Sequence, residues 1–186
     1  MANEPKSLHL TKLASPMGDI LLVTDGTVLV SLDYTGYEQR MMRLLTKRYG
    51  RFELLESSQR DTQDLIERLQ AYLSGELTAI DTIAVDPGGT AFQTKVWHSL
   101  RSIPVGTVMT YGELARQLGN PAAVRAVGTT NSLNPISIVL PCHRVIGANG
   151  SLTGYAGGLD RKRWLLEHEG VTLGSSKPPS QQLSLL

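Results

Sequence analysis

One cysteine in 186 residues excludes an internal disulfide framework and any cysteine-rich zinc site. No apolar run approaches the roughly 18 residues of a membrane span. Residues 1–10 lack the apolar core of a signal peptide. Neither sign of charge dominates. The 18 Lys and Arg against 17 Asp and Glu leave a formal net charge of +1, which taken whole speaks against a strongly basic nucleic-acid binder. The spacings of phosphate loops and zinc peptidases are missing, and there are no internal repeats. What remains is an ordinary globular composition, 41% apolar and 19% charged, long enough for one large or two small units. These features predict a cytoplasmic protein with a reduced thiol, no metal site and no membrane partner.

The near-zero charge hides a division at Pro87-Gly88-Gly89. Residues 1–88 carry 9 Lys/Arg and 13 Asp/Glu, whereas residues 89–186 carry 9 Lys/Arg and 4 Asp/Glu. Such asymmetry fits a second unit that faces a polyanion, and it equally fits surface charge scattered by chance. Within the first unit, Leu8–Ala14, Asp19–Thr24 and Thr27–Tyr34 read as strands. Asp25-Gly26 is a two-residue hairpin signal between the last two. Helices are predicted over Tyr37–Tyr49 and Thr62–Leu73, and a further strand over Ile80–Val85. No catalytic pattern stands out there, so packing and support is the expected role.

In the second unit, Thr90 is placed to cap a helix over Ala91–Arg101. Thr110 and Glu113 have capping-box spacing for a short helix over Tyr111–Leu118. After Gly119, Asn120 is placed to cap a helix over Pro121–Thr130, which makes a helix-turn-helix pattern. Ile136–Leu140 reads as a strand, and Asp160–Glu169 as a final helix capped by Asp160. The predicted class is therefore α+β. A small strand-helix domain covers 1–88, a mostly helical, winged-helix-like domain with the helix-turn-helix covers 89–174, and a disordered tail covers 175–186.

The lone thiol lies in Pro141-Cys142-His143-Arg144. A thiolate is the reactive form of cysteine, and a histidine can take its proton while a nearby arginine favours the anion. A lone cysteine after an apolar run also fits a small buried hydrophobe. On an extended chain His143 points away from Cys142, so it reaches the sulfur only through a turn or a bridging water. Glu169, at a helix end where the macrodipole disfavours it, is a candidate to hold the His143 Nδ1 and leave Nε2 free, or else a solvated carboxylate. Arg125 stands among small residues, Ala123, Ala126 and Gly128, which suits insertion into a narrow groove and equally suits a solvated arginine. The Gly154-Tyr155-Ala156-Gly157-Gly158 segment can wrap a flat ligand, or be a surface loop with one packed tyrosine.

Taken in order, several segments resemble one family, the O6-alkylguanine-DNA alkyltransferases. They are Gly106–Ala115, Arg125–Gly128, Asn134-Pro135, Pro141–Val145, Gly154–Gly158 and Trp164–Gly170. The likeness is close over residues 90–174, looser before them, and strongest to the stand-alone bacterial Ogt type. It implies transfer of an alkyl group from O6-alkylguanine, and from O4-alkylthymine, in double-stranded DNA onto Cys142, once per molecule and without a cofactor. It implies that His143, acting through a water and oriented by Glu169, generates the thiolate. Tyr111 would assist flipping of the base and protonate the leaving guanine. Arg125 would fill the space the base vacates, with Ala123, Ala126 and Gly128 letting the helix into the minor groove. Asn134 would be a hinge, and Val145, Tyr155, Ala156, Gly157 and Gly158 would line the guanine pocket. Ser137 stands where some members carry proline and would widen the alkyl pocket. A monomer is expected on the same ground.

Overall fold

The computed structural model describes residues 4–57 and 62–172. The expected disordered tail, 175–186, lies outside the described residues. Strands β1 (Lys6–Leu13), β2 (Ile20–Thr24) and β3 (Leu29–Tyr34) form an antiparallel meander. The strand β4 (Phe52–Glu56) pairs parallel to β1 at the far edge, giving the order β3-β2-β1-β4. Side chains alternate across the pleat, so in β2 Ile20 and Leu22 enter one core while Leu21 and Val23 enter another. The helix α1 (Glu38–Tyr49) closes the smaller core with Met41 and Leu45, which its four-residue spacing puts on one face. The larger core runs through both halves of the chain. It joins Leu32, Tyr34, Leu69 and Tyr72 to Trp97, Leu114, Val127 and Leu165.

Two expectations for the first half change, and one strand was not foreseen. The hairpin turn is displaced by one residue from Asp25-Gly26: Asp25 N–H donates to the Val28 carbonyl at 3.2 Å, with Gly26 and Thr27 between them. The Asp25 carboxylate accepts from the backbone N–H of Thr27 at 3.0 Å and of Val28 at 3.1 Å, and the strand register shifts at Val23/Thr24. Residues 80–82 form a turn and 83–84 are irregular rather than a strand, with Val85 alone bridging to Leu29. The strand β4 carried no apolar run to mark it, because it is an edge strand with two glutamates and mostly exposed side chains. The second predicted helix is α2 (Gln63–Leu73), which buries Leu69 and Tyr72.

In the second half, α3 (Ala91–Ser99) begins with a full capping box of Thr90 and Gln93 and ends in a 3₁₀ turn, Leu100–Ser102. A second capping box, Thr110 and Glu113, starts α4 (Tyr111–Gln117), just after β5 (Met109–Thr110). The helix expected from Pro121 opens as a 3₁₀ turn, Pro121–Ala123, and turns α-helical as α5 (Val124–Ser132). Asn120 makes no side-chain cap there. The short β6 (Val145–Ile146) pairs parallel with β5, and α6 (Leu159–His168) is the last helix among the described residues. Gly158, not Asp160, is its N-cap; Asp160 lies in the first turn, where its charge still suits the helix dipole. No helix of the described residues is long and apolar enough to cross a membrane.

The outer edge of β3 positions the site. An open edge leaves backbone groups unpaired. Leu32 N–H donates to the Pro135 carbonyl at 2.9 Å, and Ser137 N–H donates to the Leu32 carbonyl at 3.1 Å. The segment leading to Cys142 is thereby docked onto the first half of the chain. It does not continue as the strand expected over Ile136–Leu140. Ile138 adopts φ 68°, and Val139 N–H reaches back to the Ser137 carbonyl at 2.8 Å, a tight three-residue turn. A buried β-branched residue in this region is strained, so packing from both halves holds it there.

Candidate active site

Cys142 opens a 3₁₀ turn, Cys142–Arg144, and is 3% exposed. Its backbone is held on both sides. The N–H donates to the Leu140 carbonyl at 2.7 Å, and its carbonyl accepts from Asn131 Nδ2 at 3.3 Å. Asn134 splints the preceding turn: Nδ2 donates to the Leu140 carbonyl at 2.7 Å, and Oδ1 accepts from Ile136 N–H at 3.0 Å. Burial pushes the Cys142 thiol up, while Asn134, then the positive charges of Lys162 and Arg40, pull the other way.

The turn sends the next two side chains to one carboxylate. Glu169 Oε1 accepts from His143 Nε2 at 2.9 Å, Arg144 Nη2 at 2.9 Å and the Tyr72 hydroxyl at 2.7 Å. Its Oε2 accepts from Arg144 Nε at 2.8 Å. Arg144 Nη1 then donates to the Ile103 carbonyl at 2.7 Å. Burial pushes the Glu169 carboxyl up, but the hydrogen bonds and charges of His143 and Arg144 prevail and hold it well below its ordinary range. Burial pulls the His143 imidazole down against the pull of Glu169, so the ring is neutral at neutral pH. The two expected roles of the ring nitrogens are therefore exchanged. Nε2, not Nδ1, meets Glu169, and the buried Nδ1 has no protein partner. Arg144 was expected to add charge beside the thiol, but its guanidinium is committed to Glu169 and Ile103.

Lys162 was missed at the sequence level, and so was Tyr72. Lys162 is wholly buried, and its Nζ donates to the carbonyls of Val145 at 2.6 Å and Thr153 at 2.7 Å. Burial pushes it down to about 8, opposed by charge on Cys142. Only the three- and four-residue apolar stripe of α6 hinted that position 162 faces inward. The Tyr155 ring is buried, and its hydroxyl lies 2.8 Å from that of Tyr34. Tyr111 sits half-buried between α5 and the 153–154 segment, donating to the Thr153 carbonyl at 3.3 Å. Burial pushes its hydroxyl up, against hydrogen bonds from Thr153 and Asn131.

Residues 8–87 match the description "6-O-methylguanine DNA methyltransferase, ribonuclease-like domain", and residues 91–171 match "6-O-methylguanine DNA methyltransferase, DNA binding domain". The chain is 50% identical to a methylated-DNA–protein-cysteine methyltransferase of Salmonella typhimurium over 87% of its own length and 95% of that relative's. The Shigella flexneri protein of the same name is 48% identical over the same shares. The chain belongs to the 6-O-methylguanine DNA methyltransferase family. Its fold also matches the crystal structure of Mycobacterium tuberculosis OGT in complex with DNA, with a TM-score of 0.74, 40% identity, and 88% and 92% of the two chains covered.

For a methyltransferase of this family, the remaining expected residues fall into two groups. Arg125 is exposed on α5, with no hydrogen bond or ion pair among the described residues, and Ala126 beside it is exposed. Ala123 and Gly128 are partly buried, and Gly128 lies under the Tyr111 ring: a Cβ there would sit 3.8 Å from it. The second group flanks Cys142 along the chain or belongs to the loop before α6. Val145, Asn134 and Ser137 are buried at its flanks, and Tyr155, Ala156, Gly157 and Gly158 form the loop into α6. Gly157 is a steric requirement, because a Cβ would come 2.5 Å from Tyr34 Cε2 and 2.8 Å from Tyr155 Cε1. Gly157→Ala is therefore expected to lose about 1–3 kcal/mol, read by urea unfolding, because neither buried ring can retreat cheaply.

Proposed function

We propose that this methyltransferase repairs O6-alkylguanine in duplex DNA by taking the alkyl group onto Cys142, once per molecule. The observation that carries the reading is a buried cysteine at the end of a strained turn, immediately followed by a histidine bound to a buried, ionised Glu169. His143 Nδ1 takes the thiol proton, relayed through a solvent molecule, while the Nε2–H stays on Glu169. The sulfur attacks the alkyl carbon, an S–C bond forms and the C–O6 bond breaks. The departing guanine takes a proton, for which Tyr111 is the donor in this reading. The product is a thioether that no group in the chain reverses, so each molecule acts once. Lys162 favours the thiolate electrostatically and keeps the Val145 carbonyl in place.

The target base cannot reach a buried sulfur while stacked in the duplex, so the reading includes base flipping. Arg125 on α5 fills the gap, the small residues Ala123, Ala126 and Gly128 allow close approach to the minor groove, and Tyr111 crowds the neighbouring phosphate. Val145, Tyr155, Ala156, Gly157 and Gly158 line the guanine pocket, with Asn134 as the hinge before it. The same chemistry extends to O4-alkylthymine. Ser137, small and beside Tyr155, leaves room for alkyl groups larger than methyl. We place the boundary between the support domain and the transfer domain at residues 88–89, and the protein in the cytoplasm as a monomer whose thiol stays reduced.

The direct test mixes the full-length protein with duplex DNA carrying one O6-methylguanine and records the intact protein mass. A stoichiometric gain of one methylene unit, mapped to Cys142 by peptide digestion, is expected; no gain overturns the reading. Arg125→Ala is expected to slow repair in duplex DNA about tenfold or more, the rate worth of part of a flipping cost. Reaction with the free alkylated base should change less than about twofold, because no flipping is needed. Equal slowing of both argues against the finger role.

A further inference from the structure

Sequence reading assigns the first half of the chain to support, yet one of its side chains meets Tyr155, which lines the proposed pocket. Tyr34, the last residue of β3, is wholly buried, and its hydroxyl lies 2.8 Å from the Tyr155 hydroxyl, 121 residues further on. The two rings tilt at 58° with centroids 6.4 Å apart, and Gly157 is threaded between them with no room for a Cβ. Arg161 locks the same corner. Its guanidinium lies 4.6 Å over the Tyr34 ring, and it donates to the carbonyls of Met17 and Gly157, each at 2.9 Å. The Tyr155 ring is thus held at its tip by Tyr34, the last residue of β3.

We infer that Tyr34 is a positioning residue for alkyl-group selectivity: its hydroxyl tethers the Tyr155 ring, and that tether limits how bulky an O6 substituent the pocket admits. The inference rests on the proposed function, in which Tyr155 lines that pocket. Two buried hydroxyls that satisfy each other leave neither ring free to turn, since rotation would strand a polar group in the core. Phenylalanine at position 34 keeps the ring that packs against Gly157 and Arg161 but removes the tether. Tyr155 then yields to a large substituent, and discrimination relaxes.

The test compares full-length wild type, Tyr34→Phe, Tyr155→Phe and the double variant. Second-order rate constants for transfer to Cys142 are read by intact mass, from duplexes carrying O6-methylguanine or O6-benzylguanine. Tyr34→Phe is expected to raise the benzyl-to-methyl ratio about fivefold, the worth of one neutral hydrogen bond. Tyr155→Phe should shift the ratio similarly, and the double variant no further than either single one, because both changes cut the same link. A purely structural role would slow both substrates by one factor, and an unchanged ratio overturns the inference. So do additive shifts in the double variant. Failure of the wild type to take up either group would instead overturn the proposed function.

Discussion

Cys142→Ser is expected to take up no alkyl group while still folding and still binding damaged duplex. Position 142 is held through its backbone, by the Leu140 carbonyl and the Asn131 amide, and neither contact involves the sulfur. A serine hydroxyl is close to the thiol in size, and Asn134 faces that position, so the loss of stability should be about 1–2 kcal/mol, that of an imperfectly paired buried hydroxyl. Reactivity is a different matter. The groups that favour an anion here, Asn134, Lys162 and Arg40, act against burial, which dominates even for a thiol. A hydroxyl starts from a far higher pKa, and the same groups leave it protonated. Intact mass after hours with O6-methylguanine duplex should show no gain. Fluorescence anisotropy at fixed salt should give an affinity within about threefold of wild type, because the phosphate-facing charges are untouched. With a single cysteine in the chain, no second thiol can substitute.

Glu169→Ala is expected to be the most destabilising single change near the site, by about 3–5 kcal/mol, because it leaves the Arg144 guanidinium buried without its partner. His143 and Tyr72 lose their acceptor at the same stroke. Alkyl transfer should also slow on the order of a hundredfold, since an unanchored imidazole no longer presents Nδ1 to the relay. Glu169→Gln separates the two effects: it keeps the shape but sets an amide N–H against the Arg144 donors. The pH dependence follows from linkage. The folded-state pKa of Glu169 is depressed, so its contribution is fully present above its unfolded value and is lost as pH falls through the folded value. His143 acts in the same direction, because an imidazole kept neutral by burial binds its proton more readily when unfolded, so stability falls below about pH 6.5. Asp33 runs the other way: burial raises it despite Arg40, so it loses stability as pH rises past its unfolded value. Urea midpoints measured from about pH 5 down to 2, the range in which a depressed carboxylate loses its contribution, should fall for wild type. They should fall less for Glu169→Gln, where that titration is gone; an identical pH slope in the two proteins would contradict the role given to Glu169.

The features legible in the sequence were those decided within a few residues along the chain. Thr90 with Gln93 and Thr110 with Glu113 close their capping boxes through i to i+3 contacts, so helix starts were readable wherever such a pair stood. Where no such contact forms, at Asn120 and Asp160, the expected caps did not appear. The stripes of α1 and α2 are equally local, and the run from Pro141 to Arg144 already named the candidate nucleophile and its histidine neighbour. Other features came from pairings that span most of the chain. The edge strand β4 exists because β1 offers it a register, and the Ile136–Leu140 segment turns because β3 captures only its first residues. The choice of His143 nitrogen, the withdrawal of Arg144 from the thiol and the burial of Lys162 depend on α6 packing against the 3₁₀ turn. The entry of Tyr34 and Tyr72 into the site depends on the shared core of the two halves. Residue types and short spacings specify what chemistry is available. Only tertiary packing decides which buried donor meets which acceptor, because that depends on long-range pairing that no local pattern encodes.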